Sequence, residues 1–121
     1  MKVRVTESLA VDLASEKWCC HACGKELAGA RENYKTGCLI AEVPLAVAHP
    51  PLVTADSHSF TPNPDYCRLL EFYCPGCGIT LENEYLPPGH PLTWDIQLDI
   101  DQLKAKHGVA SAPKRRARRP R

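Results

Sequence analysis

Two short motifs, Cys20-His21-Ala22-Cys23-Gly24 and Cys74-Pro75-Gly76-Cys77-Gly78, constrain this chain more than anything else in it. Each reads Cys-x-x-Cys-Gly. Two residues between cysteines let one tight turn present both sulfurs to a single ion, and two such turns supply the four thiolates of a tetrahedral zinc site. Four protein ligands leave no open position for water, so the expected zinc holds structure rather than doing chemistry. The expected metal ligands are Cys20, Cys23, Cys74 and Cys77. Fifty residues separate Cys23 from Cys74, against ~15–20 in a compact two-pair motif. The ion would therefore tie distant parts of the chain together and restrict a long loop. Lys17, His21 and Lys25 lie near the first pair in sequence, where positive charge favours thiolate.

Other arrangements of the cysteines stay open at this level. One pair could be a thiol–disulfide couple, although the βαβ context of such motifs is missing. One pair could also be buried and the other free. Cys19 adjoins Cys20 and makes the register ambiguous; Cys20 gives the spacing found at Cys74 and Cys77. Cys38 and Cys67 read as small buried hydrophobes. Seven cysteines behind an N-terminus without a signal-like apolar stretch point to a reducing, cytoplasmic setting and metal rather than disulfides. No apolar run is long enough to span a bilayer.

The rest of the sequence predicts an α+β fold, mostly β: zinc-ribbon-like antiparallel hairpins bearing the two Cys-x-x-Cys-Gly knuckles, with a long proline-rich loop. Val3 and Val5 alternate with polar residues as a short strand. Residues 9–18 fit a helical turn or a loop equally. Gly24 suits the positive φ that closes such a turn. Leu39 to Val43 reads as a buried strand ended by Pro44. Pro44, Pro50, Pro51, Pro62 and Pro64 then argue against helix and central strand, so residues 44–65 are expected as a long loop or arm. Arg68–Tyr73 and Ile79–Tyr85 form a hairpin with the second knuckle at its tip. Ile79, Leu81 and Tyr85 should share one face; Thr80, Glu82 and Glu84 should share a solvated one. Leu92, Trp94, Ile96, Leu98 and Ile100 alternate with Thr93, Asp95, Gln97 and Asp99 as the clearest strand pattern in the chain. Asp101 to His107 suits a short helix. Residues 1–108 are expected to be a single zinc-binding domain and 109–121 a basic C-terminal tail.

Catalytic patterns are missing: there is no phosphate-binding glycine loop and no Gly-x-Ser-x-Gly elbow. Asp95, Asp99 and Asp101 read as the solvated face of a strand rather than a cation site. Lys114, Arg115, Arg116, Arg118, Arg119 and Arg121 are six of 15 basic residues. Without them nine basic residues face 14 acidic ones, a body charge of about −5. An acidic body, with basic residues not interleaved with aromatics, argues against nucleic acid as the partner. A free-standing zinc-ribbon adaptor or nucleic-acid-binding protein is the alternative function.

Several longer stretches resemble a known family. Trp18 to Gly24, Ala30-Arg31-Glu32-Asn33-Tyr34-Lys35-Thr36-Gly37-Cys38, Glu71 to Gly78, Glu84-Tyr85-Leu86-Pro87-Pro88-Gly89-His90-Pro91 and Asp95 to Asp101 look like the small (gamma) subunit of acetone carboxylase, a family that also serves acetophenone carboxylase. The resemblance runs from about residue 8 to 107, and the basic tail lies outside it. The chain looks shorter than acetone carboxylase small subunits at its start and middle, which favours an acetophenone-type relative. The resemblance implies a noncatalytic, zinc-binding structural subunit of an ATP-dependent ketone carboxylase, with Cys20, Cys23, Cys74 and Cys77 as ligands. It implies large hydantoinase/oxoprolinase-like subunits as partners. Tyr34, His58, Phe60, Tyr66, Tyr85 and Trp94 are candidate interface anchors, because aromatics dominate such contacts.

Overall fold

The chain folds into two antiparallel β layers that meet at the tips of their hairpins. A computed structural model describes residues 1–51 and 61–110. Sheet A is a four-stranded meander of β1 (Lys2–Arg4), β2 (Leu9–Asp12), β3 (Lys17–Cys20) and β4 (Glu26–Gly29). A 3-10 turn, Tyr34–Gly37, leads to sheet B, a three-stranded meander of β5 (Leu39–Val43), β6 (Arg68–Tyr73) and β7 (Thr80–Leu86). Helices α1 (Leu45–Ala48) and α2 (Ile100–Lys106) complete the fold. Among the described residues no helix is long and apolar enough to cross a membrane.

The hairpins β3–β4 and β6–β7 repeat one plan. In each the register slips by one residue just before the first cysteine, leaving Leu27 and Leu81 as the extra residues. Cys20 N–H donates to the Lys25 carbonyl (2.9 Å) and Cys74 N–H to that of Ile79 (3.0 Å). Gly24 and Gly78 donate back to the Cys20 and Cys74 carbonyls, both at 2.9 Å. These glycines have φ of 79° and 77°, a conformation that costs a residue with a Cβ. Trp18 and Phe72 hold the same place before the two turns, and both are fully buried.

The main core joins Leu9, Val11 and Trp18 of sheet A to Tyr34, to Ile100 of α2, and to Cys74 and Leu81 from the tip of sheet B. Leu70, Phe72 and Leu86 form a smaller second core within sheet B, and Cys38 packs against both. Sheet B therefore enters the main core by its tip.

Several expectations are corrected. Residues 9–18 are neither helical turn nor loop but β2, a turn, and the start of β3. Leu9, Ala10, Val11, Trp18, Cys19 and Cys20 are all buried, so neither strand shows the alternation that marks a half-exposed one. Leu39 to Val43 is a strand, but not a buried one: Leu39 is 57% and Ile40 47% exposed. Within the expected loop of residues 44–65, Leu45–Ala48 forms α1 after Pro44, as proline permits at a helix start. Residues 52–60 of that stretch, and the tail from 111, lie outside the described residues. In β7, Leu81 is buried but Tyr85 is 49% exposed, and Glu84 is not solvated.

The run from Leu92 to Asp99 is not a strand. Its backbone is bound by side chains instead of a ladder. The Thr93 carbonyl accepts from Asn33 Nδ2 and Lys35 Nζ, both at 3.1 Å. Leu92, Ile96 and Leu98 still pack on the cores. Asp99 caps α2, accepting from Gln102 N–H at 3.0 Å, so the helix starts one residue before the expected Asp101.

Lys35 organises this region. Only 1% of its side chain is exposed, and its ammonium meets Glu84 Oε2 at 3.1 Å, Asp95 Oδ1 at 3.2 Å, and both oxygens of Thr93 at 3.1 Å. It also lies 5.2 Å from the centre of the Phe72 ring. Burying this charge is tolerable because every donor is used and two carboxylates face it. A second network docks α2: Glu16 pairs with Lys104 at 2.8 Å and Arg31 at 2.6 Å, and Arg31 reaches Asp101 at 2.7 Å. It also holds Glu16 at a φ of 53°, which a residue with a Cβ rarely adopts.

Removing one partner strands a buried charge, so Glu84→Ala should destabilise the chain by about 3 kcal/mol in urea unfolding. An unchanged midpoint would mean that Asp95 and Thr93 suffice for Lys35. Burial alone would raise the Glu84 carboxyl, but Thr93 and Lys35 hold it below its ordinary 4.5. Lys104 and Arg31 do the same for Glu16. Lowered carboxylates stabilise the fold fully above the unfolded value and lose that contribution as pH falls through the folded one. Acid titration should thus weaken the wild type below about pH 4.5, and more shallowly in Glu84→Ala.

Candidate metal centre

The turns after β3 and β6 bring Cys20, Cys23, Cys74 and Cys77 together, with all four sulfurs within 4.8 Å of one another. The close contacts run between the turns: Cys20 to Cys77 is 3.7 Å and Cys23 to Cys74 is 3.6 Å. A tetrahedron with sulfurs about 2.3 Å from its centre has edges of about 3.8 Å. The four sulfurs are therefore spaced to hold a metal ion. Among the described residues this is the one group of His, Cys, Asp or Glu side chains with such geometry. Cys20 and Cys74 are buried and Cys23 and Cys77 exposed, so the group straddles the boundary between main core and solvent.

The turns also supply charge stabilisation. Gly76 N–H points at Cys74 Sγ from 3.3 Å, Cys77 N–H adds to it, and Cys23 and Ala22 N–H groups serve Cys20. Burial, reinforced by neighbouring thiols, pushes Cys20 up to about 12. Burial works against Cys74 as well, yet backbone N–H groups and the thiols of Cys23 and Cys20 pull it down to about 7. The opposite shifts share one cause: a thiol that donates to Cys74 favours the thiolate there and keeps its own proton. An ion bound by all four sulfurs would have no open position.

The remaining candidates fall elsewhere. Cys19, on the other face of β3, directs its thiol at the Lys17 carbonyl (3.7 Å). Cys38 directs its thiol at the Tyr34 carbonyl (3.5 Å), and burial raises it to about 11. Cys67 is half-buried and outside the group. His21 is exposed and outside it too. His49 bonds Tyr85 and His90 the Pro91 carbonyl, while His58 lies outside the described residues. The acidic stripe dissolves into separate tasks: Asp95 meets Lys35 and Tyr34, Asp99 caps α2, and Asp101 pairs with Arg31. Sequence reasoning missed Lys35 and Glu84 as a buried pair, since each looks like an ordinary surface charge. It also missed Lys2, whose Nζ would lie 3.5 Å from a Cβ at Gly24.

Of the proposed interface anchors, Tyr34 is fully buried core, while Tyr66, Tyr85 and Trp94 are 77%, 49% and 46% exposed. Phe60 lies outside the described residues.

Thiols must lose protons to bind a metal. With Cys20 held as high as about 12 in the metal-free chain, metal loading should release protons and weaken as pH falls. Competition against a fixed chelator between pH 6 and 8 should show retention rising with pH. A flat profile would mean that the thiols are not the ligands.

A family model described as acetone carboxylase gamma subunit matches residues 3–108. A relative described as the acetophenone carboxylase beta subunit of Aromatoleum aromaticum is 52% identical over 105 residues, covering 87% of this chain and 81% of the relative.

Proposed function

Because the chain belongs to the acetone carboxylase gamma subunit family, we propose that it is a noncatalytic, zinc-binding structural subunit of an ATP-dependent ketone carboxylase of the acetophenone or acetone type. Its partners are large hydantoinase/oxoprolinase-like subunits, and its setting is cytoplasmic. Cys20, Cys23, Cys74 and Cys77 are the ligands, and residues 1–108 form one zinc-binding domain of ribbon type. The basic tail, 109–121, stands apart from that domain. The observation that carries this reading is the convergence of four sulfurs from two turns far apart in sequence, in a chain that aligns along most of its length with a carboxylase subunit.

Bound zinc supplies charge and geometry here, with no site for substrate. The residues around it hold the two tips in register: Gly24 and Gly78 close the turns, and the backbone N–H groups stabilise the thiolates. A rigid join of two β layers suits a part that wedges between larger subunits. Choice of ketone then belongs to those subunits.

Native purification of the tagged chain, with metal analysis, tests this. The expected product contains large carboxylase subunits and about one metal ion per copy. Cys74→Ser should lose the metal and the assembly while the large subunits still fold. Normal assembly of a metal-free variant would overturn the structural role. A lone metal protein, or one carrying nucleic acid, would favour the free-standing adaptor.

A further inference from the structure

The two sheets present four outer edges, and three are blunted. β1 is three residues long and carries Lys2 and Arg4. β4 is covered by the 3-10 turn: a Cβ at Gly37 would lie 1.8 Å from the Leu27 carbonyl oxygen. β7 bears Glu82 at its edge, while Glu84 turns inward to Lys35. Charge, shortness and cover are the devices by which proteins keep sheet edges from recruiting other strands. β5 carries one charge, Glu42, and among the described residues nothing pairs along its outer side. It reads Leu39-Ile40-Ala41-Glu42-Val43, with Leu39 57% and Ile40 47% exposed. Among the described residues its ladder runs to β6 alone. Beyond that ladder, no hydrogen bond or ion pair among the described residues involves 39–43, Glu42 included.

We propose that β5 is the docking edge for an extended, apolar strand of a larger carboxylase subunit, with a lysine or arginine set against Glu42. This rests on the reading of the chain as a complex subunit. The added strand would take up the outward backbone groups of β5 and cover Leu39 and Ile40. Val47 and Tyr66, in the segment between β5 and β6, and Tyr85 on β7 are exposed as well, whereas Met1 is the one exposed large hydrophobic among residues 1–29. A second copy fits this edge poorly. Antiparallel self-pairing about Ala41 would set each Glu42 against Ile40 of the other copy, with no basic residue in 39–43 to face it.

The test uses the full chain purified with its complex. Backbone amide exchange at residues 39–43 should slow by at least about tenfold between the free chain and the complex. Side-chain docking alone would not protect a row of amides. Ile40→Lys and, separately, Leu39→Lys should each cut recovery of the larger subunits by roughly tenfold or more, because an edge lysine opposes strand addition. Both side chains are about half-exposed, so metal content should match the wild type and report intact folding. Glu42→Lys should also lower recovery. Unchanged exchange at 39–43 in an assembled wild-type complex would overturn the proposal. So would a free chain that is already dimeric with these amides protected, since a second copy would then occupy the edge. A wild-type chain that recovers no larger subunit would overturn the subunit reading itself, before any variant is compared.

Discussion

The contact between two cysteine-bearing turns is the join on which this fold depends. Sheet B contributes Cys74 and Leu81 to the main core, and both sit at its tip. The rest of the sheet has a core of only Leu70, Phe72 and Leu86. A layer attached at one end can pivot unless the attachment is stiff. Four sulfurs crossing between the turns at 3.6–3.7 Å, in loops pinned by matching backbone bonds, provide a place where one ion could make it so.

Lys35 provides a second attachment and fixes the angle of the layer. It reaches from the linker between the sheets to Glu84 on β7 and to Thr93 and Asp95 on the segment that follows. That segment gives up strand pairing as a result. The Glu16 network then ties α2 to the turn between β2 and β3 and to Arg31. Buried ionic contacts of this kind add little net stability, since desolvation offsets the attraction. They exclude other arrangements, because any misplacement leaves a charge stranded.

Much of the site was legible because its chemistry is local. A Cys-x-x-Cys-Gly turn specifies its own loop, and a duplicated one points to a shared ion. The β6–β7 hairpin was legible for the same reason, its alternation being interrupted by a turn. β2 and β3 were not: covered on both faces, Leu9-Ala10-Val11 and Trp18-Cys19-Cys20 carry no period. Leu92 to Asp99 misled in the opposite direction. Alternation reports an extended backbone with one face inward, and this segment is extended with Ile96 and Leu98 inward. Whether a neighbouring strand completes a ladder is a separate matter.

By itself, then, the sequence determined the two cysteine turns, the glycines that close them, the β-rich class and the family. The turns and their glycines are fixed by residues within a few positions of one another, and the class and the family by the order of such local patterns along the chain. Only the tertiary structure decided that the turns face each other, that Lys35 and Glu84 are a buried pair, and that β5 is an outer strand of its sheet. These depend on which segments become neighbours, and neighbours in space are chosen by the balance of burial against desolvation over the whole chain.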